Sequence, residues 1–381
     1  MISVLIAGDL CPIGRNLPLF KEGDAQALFN DLLPEFEQAD LSIVNLECPL
    51  IGEERPIKKV GPVLGAPRES VNGLEAAGID VVNLANNHIL DHGAEGLAST
   101  LEACRQSGID CVGAGADIRE ARKILVREAK GIQVGILALA EHEFGTAGTN
   151  SPGSNPLDLI DFVRNVDTHR QEFDCLIVLL HGGNEHYPYP RPRLMNICRF
   201  FVERGADAVI CQQSHVAGCG ETYRGGHIVY GQGNFIFDLP SPHPAWNRGV
   251  LLVLEIDGPG RSRMRMVPYR QSDGGPGARR LGAEEEKRFR EEFTARSEEI
   301  RDPAEVEKRW REFCRGQERA LLHLLHGRNS LLRRLAVRAG LSGLLDSKKR
   351  CLTRLHLFRC ESLREALIAV LEERSKMIPG E

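Results

Sequence analysis

The 381-residue chain lacks the signatures of several large protein classes. It has no Cys-x-x-Cys pair, and its 11 cysteines form an odd count scattered through apolar stretches. That spacing excludes a disulfide framework and a thiolate zinc site, and is the pattern of reduced, buried thiols in a cytoplasmic protein. The N-terminus, MISVLIAGDLCPIGR, has no basic leader, and no apolar run in the chain approaches about 18 residues. Neither a signal peptide nor a membrane-spanning helix is therefore expected. An excess of positive charge is missing too. The 48 Lys and Arg face 53 Asp and Glu for a net charge of −5, so no nucleic-acid partner is expected. Gly113-Ala114-Gly115 lacks the third glycine of a dinucleotide fingerprint. His181-Gly182-Gly183 is not accompanied by a Gly-x-Ser-x-Gly elbow, which removes the serine-hydrolase reading.

What the chain does have is a succession of short apolar runs rich in Val, Ile and Leu. They fall at 2–7, 41–46, 80–85, 133–140, 175–180, 207–212, 227–232 and 249–256. Near-continuous apolar strands are those buried on both faces, so an α/β fold of layered sheets is expected. Helix candidates lie between them at 24–38, 67–77, 93–107, 156–171 and 190–204. Pro67, Pro156 and Pro190 stand where first-turn prolines would.

A Gly, Pro and Ser cluster over 258–283 precedes a change of character. Beyond it the sequence looks helical and highly charged, which divides the chain into a main domain, 1–275, and a C-terminal helical extension, 276–381. Residues 284–320 predict a solvated helix with one packing face that includes Trp310 and Phe313. Within 321–360, nine basic residues face Asp346 alone, beside a leucine stripe of Leu321, Leu322, Leu324, Leu325, Leu331, Leu332 and Leu335. Such a stripe more often packs on its own protein, but a basic amphipathic helix also suits an anionic membrane surface or a protein partner. Localisation is thus expected to be cytoplasmic, with peripheral membrane attachment as the variant.

The chemistry concentrates where these runs end. Asp9 follows 2–7, Glu47 follows 41–46, Asn86, Asn87 and His88 follow 80–85, His181 follows 175–180, and His215 follows 207–212. Ligands of open α/β sheets gather at the carboxyl ends of the strands. Each residue alone has an ordinary explanation as a turn or cap, but five coincident strand ends are harder to dismiss. Carboxylate, amide oxygen and imidazole suit one or two divalent ions such as Mn, Fe or Zn. A carboxylate such as Glu47 can bridge two such ions and so serve an in-line phosphoryl displacement. His88, directly after a ligand-type Asn, is placed to protonate a leaving oxygen, and Asp91 to orient its imidazole. Asn86, together with Asn184 and Glu185 in the loop Gly182–His186, is a candidate to line a substrate cleft. Asn234, between Gly233 and Phe235, is a weaker one.

Gly8-Asp9, Asn45-Leu46-Glu47, Leu84-Ala85-Asn86-Asn87-His88 with Asp91, His181-Gly182-Gly183-Asn184-Glu185, Ser214-His215-Val216 and Tyr230-Gly231-Gln232-Gly233-Asn234-Phe235 together resemble the CapA family of capsule and poly-γ-glutamate biosynthesis. That family is similar to calcineurin-like metallophosphoesterases. The resemblance covers about residues 1–240. It implies a four-layer sandwich of two mixed β-sheets flanked by helices, with a two-metal site. Asp9 and His215 would hold the first metal, Glu47 would bridge, Asn87 and His181 would hold the second, and His88 would be the catalytic histidine. Two departures stand out: Cys11 where the phosphoesterase pattern has histidine, and Gln213 where the pattern has the first residue of His-x-His. Gln213 offers a neutral oxygen, a weaker ligand for a transition metal.

The expected function is metal-dependent hydrolysis of a phosphorylated or polyanionic substrate in the synthesis of a cell-envelope polymer. Two alternatives are a non-catalytic assembly factor for such a polymer and a metal-dependent amidase cleaving a γ-glutamyl bond.

Overall fold

The computed structural model describes residues 1–241, 243–326 and 347–377. Successive side chains of a strand point to opposite faces, and here both faces are covered. In the first strand, Ile2–Cys11, Val4 and Ile6 pack between two sheets, while Leu5 and Ala7 face outward under helices. In Cys175–His181, Ile177 and Leu179 face the space between the sheets, and Leu176, Val178 and Leu180 face the opposite helical layer. Burying each such side chain contributes roughly 1.5–3 kcal/mol, which is why strands this apolar need cover on both sides. The result is the expected four-layer α/β sandwich of two mixed sheets flanked by helices.

The first sheet has eight strands. Ile2–Cys11 lies at its centre, parallel to Leu41–Leu46, and Val81–Asn83 and Asp110–Val112 continue in parallel beyond that neighbour. On the other side Arg248–Gly258, Arg261–Gln271 and Ala278–Arg280 run antiparallel to one another, the first of them also antiparallel to Ile2–Cys11. Asn234–Phe237 pairs in parallel with the end of Ile2–Cys11. The second sheet runs Gly220–Tyr223, Gly226–Val229, Ala208–Gln212, Cys175–His181, Ile132–Ala140 and Leu125–Ala129. Its four central strands are parallel, so their carboxyl ends meet those of the first sheet at one edge.

Several local expectations need correcting. The helix expected over 24–38 is three pieces, Ala25–Phe29, Asn30–Leu32 and Leu33–Gln38, because Asn30 adopts φ 48° and Pro34 restarts the chain. Of the three prolines expected in first turns, none is there. Pro67 is in a short strand, Pro156 bridges Ala140, and the helix after Pro190 starts at Pro192. The largest difference is the 11-residue strand Arg261–Gln271, which runs through the Gly, Pro and Ser cluster and was not among the expected strands. Its alternation is plain in retrospect: Met264 and Met266 turn towards the inter-sheet core, and the alternating Arg263 and Arg265 face away.

The first sheet therefore continues past the glycine-rich stretch to Arg280. The next helix, Ala283–Glu299, drives Phe289 and Phe293 into the core between the sheets. Among the described residues three further helices follow, Pro303–His326, Lys348–Arg359 and Glu361–Met377. They share an apolar cluster around Trp310, Cys314, Leu321, Leu357 and Leu367, which also takes in Tyr187 from the main sandwich. Leu322, Leu324 and Leu325 pack against it. Leu331, Leu332 and Leu335, with Arg328, Arg333, Arg334 and Arg338, lie outside the described residues. No helix among the described residues is long and apolar enough to cross a membrane.

Candidate metal centre

Backbone irregularity aims the first ligand. The register of Ile2–Cys11 shifts against both parallel neighbours around Asp9, a bulge that turns the carboxylate out of the ladder. Gly8 is obligatory there, since a Cβ would lie 2.1 Å from the Gly233 carbonyl oxygen. Across the edge, Gln213 (φ 89°) and His215 (φ 56°) are held in left-handed backbone, which non-glycine residues rarely adopt. Strain of this kind is retained where the surroundings over-determine it, and it clusters at functional sites.

These irregularities bring Asp9, Glu47 and His215 together, with one ligand atom from each lying within 4.8 Å of the others. His215 Nδ1 lies 3.3 Å from Asp9 Oδ2, and its Nε2 is 3.8 Å from Glu47 Oε1. A second group shares Glu47. His181 Nε2 is 3.6 Å from Glu47 Oε1 and 3.2 Å from Asn87 Oδ1. The Gln213 backbone N–H reaches Asp9 Oδ2 at 3.3 Å, and its side-chain oxygen is buried without a partner. Both Glu47 oxygens are likewise buried without any hydrogen-bond donor. A buried carboxylate left unpaired is costly, and the ordinary remedy is a cation.

Charge balance points the same way. Burial and the neighbouring Asp9 push the Glu47 carboxyl well above the usual carboxylate range. Burial would raise Asp9 as well, but the hydrogen bond and charge of His215 hold it below its ordinary value. Burial would lower His215, yet the charges of Glu47 and Asp9 outweigh it and lift the imidazole to about 10. A proton on His215 and a divalent cation are alternative ways of balancing the same two carboxylates. Burial pushes His181 down to about 3, leaving the neutral imidazole that metals require. The donor set therefore fits one cation at Asp9, Glu47 and His215, and a second at Glu47, Asn87, His181 and Gln213. Cys11 is different. Burial and the adjacent Cys48 push its thiol well above the ordinary value, so it stands as a protonated thiol within the outer core.

His88 and Asp91 are brought together as expected, with Nδ1 2.7 Å from Asp91 Oδ2. Burial lowers the His88 imidazole, so the neutral form, with Nδ1 directed at Asp91, leaves Nε2 for a proton in transit. Sequence reasoning missed Lys59. Its ammonium, on a side chain only 2% exposed, donates to Asp91 Oδ1 at 2.6 Å and to the Asn87 carbonyl at 3.3 Å. Nothing in the exposed-looking run Arg55–Pro62 marks it. Glu143 was missed as well: it accepts from Asn87 Nδ2 at 3.2 Å, and burial raises its carboxyl to about 7. Asn45 was legible as an amide inside an apolar run, and it donates to Asp9 Oδ1 at 2.8 Å.

Asn184 and Glu185 line the cavity over the site. Asn86 and Asn234 do not. The Asn86 side chain accepts from the His88 and Ile89 backbone N–H groups and fixes the 86–89 turn. Asn234 Oδ1 pairs with His215 Nδ1 at 2.9 Å and sets that ring. Both are positioning residues.

Fold and site thus define a four-layer α/β sandwich with a candidate metal centre at its strand ends. The chain belongs to the bacterial capsule synthesis protein family PGA_cap, which matches residues 3–239. It is 27% identical over 288 residues to the capsule biosynthesis protein CapA of Bacillus anthracis, covering 72% of this chain and 69% of that one. It is 27% identical over 281 residues to the PGA biosynthesis protein CapA of Bacillus subtilis, covering 72% and 74%. A probable polyglutamine synthesis accessory protein of Mycobacterium tuberculosis is 29% identical over 252 residues, covering 61% and 66%. Among solved structures it is similar to a hypothetical protein from Thermus thermophilus, with 17% identity, a TM-score of 0.43 and coverage of 71% and 99%. The calcineurin-like phosphoesterase YfkN of Bacillus subtilis follows with 11% identity, a TM-score of 0.35 and coverage of 74% and 88%.

Proposed function

We propose that this capsule synthesis family member is a metal-dependent hydrolase of a phosphate ester formed during the synthesis of capsule, poly-γ-glutamate or another cell-envelope polymer. The observation that carries the reading is Glu47. It is a fully buried carboxylate with two unpartnered oxygens, facing Asp9 and His215 on one side and His181 on the other. The polymer context rests on the relatives' names. The eleven unpaired cysteines favour a cytoplasmic setting.

Asp9, Glu47 and His215 would hold one divalent cation, and Glu47, Asn87, His181 and Gln213 a second. Bound there, the cations would activate water and neutralise a phosphoryl oxygen. Asn45 keeps Asp9 in place through its 2.8 Å bond, and Asn234 keeps His215. His88 would take up a proton at Nε2 from solvent water and pass it to the leaving oxygen. Asp91 holds the opposite edge of the ring, and Lys59 holds Asp91.

The test is metal analysis of the purified full chain, followed by turnover of an aryl phosphate with added Mn. The expected result is bound metal together with metal-dependent turnover that Asp9→Ala abolishes. Failure of the wild type to bind metal or to turn over any phosphate ester would instead favour the assembly-factor reading, which the Cys11 thiol also favours. Release of amine without phosphate from γ-glutamyl substrates would favour the amidase.

A further inference from the structure

The strand-end site opens into a cavity of about 510 Å³. Asn87, His88, Gln213 and His215 face it from the sandwich. Loop residues such as Val60, Leu64 and Leu239 add to that side, and one further part of the wall has a different origin. Phe313, Gln317 and Leu321, at helical spacing along Pro303–His326, line it together with Leu363 and Ala366 of Glu361–Met377. Trp246 joins this wall, its ring 5.1 Å from that of His215. All six residues lie beyond the 3–239 stretch that the family shares.

The wall is bolted to the site's own loops. Arg191, fully buried, bonds Glu141 on one side and Glu365 on the other, the latter at 2.7 Å. Asn184 Nδ2 donates to the Ser362 carbonyl at 3.1 Å, and the His142 backbone N–H donates to Glu361 Oε2 at 2.7 Å. Segments following two strands of the second sheet thus grip residues 361–365. A wall held by a buried, multiply bonded arginine is a fixed part of the site.

The cavity's charges speak against a polyanion beside the phosphate. Glu143 and Glu185 line it, and its one lysine among the described residues, Lys59, is already bonded to Asp91. We infer that the C-terminal helices form the leaving-group side of the site, and that the substrate is a phosphate ester of a compact, uncharged alcohol with an apolar body. That body sits against Phe313, Leu321, Leu363 and Trp246. The inference rests on the hydrolase reading and names its substrate class.

The full chain supplied with Mn would be assayed on n-alkyl phosphates from methyl to hexyl. Binding of the matching alkylphosphonates would be measured by calorimetry. Removing one methylene from water is worth up to about fourfold in an equilibrium constant, so affinity and kcat/KM should rise about two- to fourfold per carbon until the wall is covered. Leu363→Ser should reduce that slope, and the milder Phe313→Leu should alter it if the first variant fails to fold. A wild-type series that is flat, with methylphosphonate still bound and methyl phosphate still turned over, overturns the inference and leaves the hydrolase standing. Slopes unchanged in both variants also overturn it. No binding and no turnover of any member, methyl included, removes the hydrolase reading and this inference with it.

Discussion

The two sides of the cavity are built by different physics. The sandwich side places its ligands on rigid, hydrogen-bonded sheets, where a bulge at Gly8 and two strained residues, Gln213 and His215, supply the aim. The helical side is fixed by other means. It is located by one apolar cluster and by ion pairs reaching across from Arg191 and His142. Chemistry needs positions fixed to a fraction of an ångström, which sheets provide. The helical side supplies apolar surface over the cavity, from Phe313, Leu321 and Leu363.

The sharpest way to break this contrast is Glu47→Gln. If Glu47 is the shared cation ligand, turnover should fall by at least about 10³-fold. The Mn-induced rise in Tm should vanish, because only binding to the native state produces it. The metal-free variant should be no less stable than the wild type, since an unpaired buried carboxylate has been removed. A marked loss of stability without metal would show that Glu47 is structural.

Next in size is His88→Ala, expected to lower kcat by about 10²–10⁴-fold while metal content stays at the wild-type level. Equal loss of metal would move His88 from proton carrier to ligand. Gly8→Ala probes the rigidity of the sheet side. Its Cβ meets the Gly233 carbonyl oxygen at 2.1 Å, so denaturant unfolding should show about 1–3 kcal/mol lost or more. A neutral result would mean that the bulge is soft and that Asp9 is not rigidly aimed.

The smallest effect belongs to the helical side. The Glu361 hydrogen bond lifts His142 above its ordinary value of 6.5. Glu361, despite burial, is held below its ordinary 4.5 by His142. The histidine's share of stability is fully present below 6.5 and is lost as pH rises through the raised value. The glutamate's share is present above 4.5 and is lost as pH falls through the lowered one. Anchoring of residues 361–377 should therefore be strongest between those two ordinary values. The His142 side chain is 40% exposed, so solvent screening keeps the effect below about 1 kcal/mol. Hydrogen exchange of Glu361–Met377, corrected for intrinsic rates, should show this window in the wild type and lose its upper limb in His142→Gln.

Much of the sandwich was legible in one dimension. Apolar runs too continuous for a half-buried sheet demanded two covered faces, and polar residues at five run ends demanded a shared edge. Asp9, Glu47, Asn87, His181 and His215 follow from that logic because strand direction alone sends them to one rim. Lys59 did not follow, since its loop carries no periodicity and its burial arises only where Asp91 folds back to meet it. Arg261–Gln271 was hidden because glycines and prolines around it outweighed a short period-2 alternation.

By itself, then, the sequence determined the layered α/β class, the ligand types and the edge they occupy, because strand periodicity and chain direction are local properties. Only the tertiary structure decided that Asn86 and Asn234 position their neighbours, that Glu47 has no hydrogen-bond donor, and that helices after residue 300 wall the cavity. Each of these depends on which distant side chains share a volume of a few ångströms, and no local pattern in the chain records that.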